Sequence, residues 1–251
     1  MQKIFTYLFL SCVLLASITT HAQNAIFLSE GRIEFERRIN LYAQLEDEDN
    51  NDTDWKELMK KTMPKFKTTY FDLNFKDGKT LYRPGRENTD NNRLWQQPAE
   101  DNIVFNNLET YQSTTLKNVY DQAFLVQDTT RKIKWKITEE TRNIAGFTCR
   151  RANGIVMDSL YIVAFYTDAI TTSGGPECFT GLPGMIMGVA IPREHITWFA
   201  TKVYTEVITD AKLNPPAKGK KTTNQSLLTT LKDRMKDWGK WGERYIKAIM
   251  L

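Results

Sequence analysis

Apolar and polar residues alternate along much of this chain, and a period of two is satisfied only by extended strands. In Gly31–Gln44 the row Ile33, Phe35, Arg37, Ile39, Leu41 stands against charged or polar neighbours. Lys67–Gly85 places Phe71, Leu73 and Phe75 on one face and then reaches Asp77-Gly78, a dipeptide that tolerates two positive φ values and so closes a tight hairpin. Lys132–Thr138 sets Ile133, Trp135 and Ile137 against three lysines. Leu160–Thr167 is almost continuously apolar, as a strand covered on both faces would be. The apolar runs on either side of Pro192–His195 predict a further hairpin.

Helical spacing interrupts this pattern twice. Thr53–Met63 reads as a helix capped by Thr53 or Asp54 and stopped by Pro64. Asn224–Leu251 spaces Leu228, Leu231, Met235, Trp238, Gly242, Tyr245 and Ile249 by threes and fours, which predicts one amphipathic helix over 224–250. A polar, Pro- and Lys-rich linker (211–223) precedes it. The Glu46–Asp54 acidic run lacks the glycine and distal glutamate of a calcium loop and reads as a solvated loop. The expected fold is mainly β (α+β): a curved antiparallel sheet, shaped like a half-barrel, with the C-terminal helix packed on its concave side.

The first 22 residues read as a secretory signal peptide. Lys3 opens it, Ile4–Ile18 is largely apolar, and Thr20–Ala22 ends it in small residues. Lipidation at Cys12 would leave a very short apolar region, so cleavage after Ala22 is expected. Residues 23–251 then form a single mature domain, exported to the periplasm or the outer membrane. A net charge of +4 is too small for a nucleic-acid binder.

Two cysteines remain beyond the leader, Cys149 and Cys178, and an even count in an oxidising compartment predicts a disulfide between them. The bridge selects a turn. A hairpin at Asn153-Gly154 would carry Cys178 far from Cys149, whereas a turn at Met157–Leu160 brings the start of the following loop beside Cys149. The second turn is therefore expected, with Asn153-Gly154 as a bulge or kink within a strand.

Catalytic patterns are sparse. His195 is the one histidine of the mature chain, too few for a multi-histidine zinc site. There is no G-x-S-x-G elbow, P-loop or G-x-G-x-x-G opening a helix, so no cofactor is expected and catalytic residues stay unassigned. Ser173 and scattered carboxylates leave a hydrolase as one alternative. Met185 and Met187, on one strand face, leave soft-metal handling with the cysteines as another.

The tract Phe179–Val189, "FTGLPGMIMGV", resembles the hallmark of the GLPGLI family, with Met185 where that name has its second Leu. Cys149 with Ala152, Phe165-Tyr166-Thr167 and Gly175-Pro176 precede it in the family's order, and the likeness covers Ile133–Val207 best. The resemblance implies an exported protein of Gram-negative bacteria and names no reaction. Gly175, Pro176, Gly181, Leu182, Pro183 and Gly184 are the signature loop. Pro183-Gly184 suits the centre of a type II turn, and Leu182 suits a plug. The loop is expected to pin the register of the next strand. The function expected is non-enzymatic: binding of an envelope or outer-membrane partner protein, or of an apolar ligand.

Overall fold

A computed structural model describes residues 27–48, 52–88 and 96–251. The leader expected at 1–22 lies outside the described residues. Among the described residues, twelve strands form one sheet. They are β1 (Glu30–Asn40), β2 (Phe66–Lys76), β3 (Lys79–Pro84), β4 (Ile103–Asn107), β5 (Gln112–Val119) and β6 (Gln122–Thr129), then β7 (Lys136–Ile144), β8 (Phe147–Val156), β9 (Leu160–Thr167), β10 (Met185–Ile191), β11 (Ile196–Tyr204) and β12 (Lys220–Thr222). Two antiparallel meanders, β1–β6 and β7–β11, join where β1 pairs with β11. Only β12, added parallel to β6, departs from the antiparallel rule.

Connectivity dictates the curvature. In the order β12-β6-β5-β4-β3-β2-β1-β11-β10-β9-β8-β7, β6 and β7 stand ten spacings apart, about 48 Å in a flat sheet at about 4.8 Å per spacing. The chain between Thr129 and Lys136 reaches at most about 25 Å when fully extended. The sheet must therefore curl until its two ends approach, and this crossover then lies across the concave side. Gly154 of β8 shows it there: a Cβ at that position would sit 3.0 Å from Ile133 and from the Trp135 ring. The alternation of Lys132–Thr138 thus belongs mostly to an extended crossover, and pairing begins only at Lys136.

Local signals placed several turns. Asp77 (φ 47°) and Gly78 (φ 66°) close the β2–β3 hairpin, with Lys76 opposite Lys79. Helix α1 (Leu41–Glu46) takes over where the β1 alternation was expected to continue, because the Asn40 side chain accepts from Ala43 N–H and caps it. Helix α2 (Thr53–Thr62) is capped one residue early, by Asp52. Strand β9 is buried on both faces.

The C-terminal stretch is two helices, α3 (Asn224–Arg234) and α4 (Gly239–Met250), where one was expected. Gly239 at φ 56° breaks the run, and Gly242 lets the two segments close up: a Cβ there would lie 2.8 Å from Trp238 Cβ. Leu227, Leu231, Met235, Ile246 and Ile249 bury against Val119, Phe124 and Val126 of β5 and β6. Trp238, expected in the buried stripe, stands 42% exposed.

Candidate functional site

The 17 residues between β9 and β10 contain the signature loop, and they fold back into the curl. Phe179 and Leu182 are core residues, Glu177 is 1% exposed, and Thr172 and Thr180 are buried beside them. Backbone bonds hold the segment: Ile186 N–H donates to Gly174 O at 2.8 Å and Phe179 N–H to Pro176 O at 3.2 Å. The crossover clasps it from outside, since Trp135 Nε1 donates to Thr180 O at 2.9 Å. Each glycine has its own reason. A Cβ on Gly175 would meet Phe179 O at 2.7 Å, one on Gly184 would meet Thr167 O at 2.1 Å, and Gly181 sits at φ 93°. The expected type II turn is replaced by a tighter closure about Pro183, with Gly184 N–H donating to Leu182 O at 2.8 Å. Leu182 is the plug, while Gly181 and Pro183 stay exposed.

Glu177 carries the most chemistry in this loop. Its backbone is left-handed at φ 49°, unusual for a buried non-glycine residue. Asn102 Nδ2 donates to Oε2 at 3.0 Å, and Oε1 has no hydrogen-bond partner among the described residues. Burial raises its carboxyl pKa above the usual 4.5, while Lys117, the Asn102 bond, Arg37 and Arg131 pull the other way. Burial likewise lowers the Lys117 ammonium. Lys117 and Arg131 donate to the Ile249 and Met250 carbonyls, so the open C-terminal end of α4 rests on these two basic side chains. Arg37 donates from Nη2 to Pro98 O at 3.0 Å and lies 5.6 Å from the Trp198 ring centre. The concave face of β3–β5 continues the polar character with Thr80, Tyr82, Asn106, Ser113 and Thr115, all buried.

The raised carboxyl has a stability consequence. Native Glu177 keeps a proton that the unfolded chain releases above pH 4.5. Its contribution is therefore full below that pH and is lost as pH rises through the raised native value. Glu177→Gln keeps an oxygen for Asn102 and cannot ionise. As pH rises above about 5, its melting temperature is expected to fall less steeply than the parent's. Parallel profiles would mean that Glu177 titrates normally.

Beside this cluster opens a cleft of about 1160 Å³ between the crossover, β6, the β8–β9 turn and the two C-terminal helices. Leu228, Met235, Ile246 and Met250 face Val126 and Val156 across it, Cys178 and Arg131 reach it from the loop side, and Lys132, Lys232, Lys236 and Lys247 line it too. A second hollow of about 790 Å³ lies by the signature loop and shares Thr130–Lys132 with the first. Ser173 lines it, accepting from Gly184 N–H at 3.4 Å. His195 is elsewhere, its Nε2 2.8 Å from Asp47. Met185 and Met187 are fully buried in the main core.

The expected disulfide is corrected: Cys149 and Cys178 are both free thiols. Strand alternation explains it. Ala152 and Gly154 face the concave side, and Cys149, an odd number of residues from Ala152, faces away, whereas Cys178 belongs to the loop inside the curl. Burial pushes the Cys149 thiol up to about 12. The turn nevertheless lies at Met157–Ser159, with Val156 opposite Leu160. Its cause is local: Met157 and Asp158 both take positive φ, and Gly154 is needed under the crossover. Glu177, Arg37 and Lys117 escaped the sequence reading. The one usable signal was Arg37, the single charge in an apolar row.

The family model described as "N-glycanase peptide, N-terminal domain" matches residues 85–229. This overturns the GLPGLI resemblance, since the tract that carried it falls within that match. No curated protein matches the chain. Among solved structures, PNGF-II in a C2 and in a P21 crystal form aligns at 15% identity, with TM-scores of 0.52 and 0.53. The alignments cover 78% and 80% of this chain, and 31% and 33% of those chains. This chain therefore spans about a third of their length, and the likeness is one of fold.

Proposed function

This chain belongs to the family of N-glycanase N-terminal domains, and from that premise we propose that it is a non-catalytic binding domain working in the cell envelope after export. Its ligand is amphipathic, with an apolar body and an anionic end. The observation that supports this is the 1160 Å³ cleft, where methionine, leucine and isoleucine side chains of α3 and α4 face Val126 and Val156 beneath four lysines. Ligand sites combine this kind of apolar lining with a few orienting polar groups. The apolar wall takes the body, and Lys232 and Lys236, exposed on α3 and just beyond it, take the charge. An envelope partner protein presenting an acidic, apolar segment is the neighbouring form of the same idea. No described helix is long and apolar enough to cross a membrane.

The test is titration with a fluorescently labelled dodecanoic acid. Saturable binding is expected. Leu228→Glu should weaken it at least tenfold, and Lys232→Glu with Lys236→Glu should weaken it severalfold in a salt-sensitive way. Absence of saturable binding, or equal binding by all variants, removes the cleft as the site.

A further inference from the structure

At the corner where α3 turns into α4, four aromatic rings gather on the surface. Tyr245 lies between Tyr120 (centroids 5.3 Å, 10° between planes) and Trp241 (5.4 Å, 27°). Trp238 closes the group, 5.7 Å from Tyr120 and 5.1 Å from Trp241. Tyr120 sits at φ 52° in the β5–β6 turn, which lifts its ring to the helices. Tyr120 is 56% and Trp241 52% exposed. Mutual stacking holds the rings, so little side-chain freedom remains to be lost against another surface.

Positive charge is concentrated at the same end of the chain. Residues 211–251 hold ten bases and three acids (Asp233, Asp237 and Glu243), a net +7. The whole chain carries +4, so residues 1–210 are net −3 and the molecule is electrically polarised. Eight of the ten bases are exposed. Lys232, Arg234 and Lys236 form no ion pair among the described residues, whereas Lys212, Arg244 and Lys247 are neutralised by Glu206, Glu48 and Glu194. The groove on the other side of Trp241 sets four carboxylates against four bases, so it adds no net charge.

An exposed aromatic patch marks a protein contact or a membrane contact, and composition separates the two here. Seven of the eight exposed bases are lysines. Lysine is depleted from protein interfaces, where arginine is enriched. Flexible lysines are instead effective against the diffuse charge of a headgroup layer, which presents no single fixed partner. Tryptophan and tyrosine suit that layer too, since each joins an apolar body to one polar edge. We propose that this corner docks the protein on a lipid bilayer bearing anionic headgroups. Trp238, Trp241 and Tyr120 enter the headgroup layer, and the basic side chains around them lie over the phosphates. Docked in this way, the cleft wall formed by Lys236 and Gly239 lies beside the lipid surface, a source of amphipathic molecules. That consequence, unlike the docking itself, rests on the cleft being a ligand site.

The experiment is flotation of the mature chain, residues 23–251, so that the expected apolar leader cannot bind lipid. The vesicles are equal parts phosphatidylglycerol and phosphatidylcholine, or phosphatidylcholine alone, and brominated acyl chains report tryptophan insertion by quenching. Binding with quenching is expected on the mixed vesicles, much less on phosphatidylcholine, and it should weaken as salt rises. Trp238→Ala with Trp241→Ala should weaken it at least about tenfold and remove most of the quenching. Arg234→Glu with Lys240→Glu should weaken it severalfold and erase the preference for phosphatidylglycerol. Tyr120→Asn, a residue that tolerates positive φ, should weaken it severalfold and serves if the tryptophan pair fails to fold. Leu228→Glu, in the cleft, should leave flotation unchanged, so loss of dodecanoic acid binding and loss of docking are separate outcomes. Absence of flotation, flotation without quenching, equal flotation on both vesicles, or undiminished binding by the aromatic variants overturns the proposal. Capture by polyglutamate without vesicle binding also overturns it, and would make the corner a protein contact.

Discussion

Gly184→Ala is expected to lower unfolding stability by about 3 kcal/mol or more, among the largest single-residue effects in this chain. Two separate costs meet at that position. The backbone φ of 128° is a conformation that residues with a Cβ rarely adopt. The new methyl would also lie 2.1 Å from Thr167 O and 2.8 Å from its carbonyl carbon, atoms of a paired strand that cannot rotate away. Relief would require β9 and β10 to separate where Met185 pairs with Thr167. Gly146→Ala is the control: it shares a positive φ of 87° but has nothing within 4 Å of the added atom. Urea denaturation should show a midpoint shift for Gly184→Ala far beyond that of Gly146→Ala. Similar shifts for the two would mean that backbone strain alone, and not the close strand approach, fixes the glycine.

Phe179→Ala is expected to cost about 3–5 kcal/mol, the range for emptying a fully buried aromatic site. Phe179 is a loop residue by secondary structure, but it is wholly buried and meets Trp198 edge to face at 5.9 Å. Its backbone is pinned on both sides, by Phe179 N–H to Pro176 O and by the close approach of Gly175, so the loop cannot collapse into the space. Tyr111→Ala, at a turn residue 65% exposed, should change stability by no more than about 0.5 kcal/mol. Thermal and urea unfolding of the two variants would separate a loop that forms core from a loop that covers it. A small effect at Phe179 would place the segment 170–184 outside the cooperative unit.

What the sequence made legible was local. The Asp77-Gly78 turn, the strand alternation and the apolar β9 need only their own residues to be read, and together they were enough for a curved, mainly β fold. The errors have a common physical source. Lys132–Thr138 alternates because an extended crossover has the same period as a strand, whether or not it is paired. The apolar stripe of 224–250 continues in register across Gly239, so periodicity alone could not show two helices. Cysteine parity predicts a bridge without knowing which face of β8 carries Cys149. Glu177 is silent because a glutamate in a glycine-rich loop looks solvated, and its burial depends on the loop turning inward beneath a distant crossover. The exposed aromatic corner was hidden for the same reason: Tyr120 is about 120 residues from Trp238 and Trp241.

The pairing of β1 with β11 also sets an order in time. Ile33 lies opposite Val203, so the seam that joins the two meanders cannot form until the chain is available through β11. Each meander is built from neighbouring strands and can assemble by itself, whereas the seam closes a loop of about 170 residues and carries the entropic penalty of so distant a contact. Until it closes, β1 and β11 each present an open strand edge, and such edges invite pairing between molecules. Refolding should therefore show a fast phase of hairpin formation and a slower one of seam closure. The yield should fall as protein concentration rises during the interval between them.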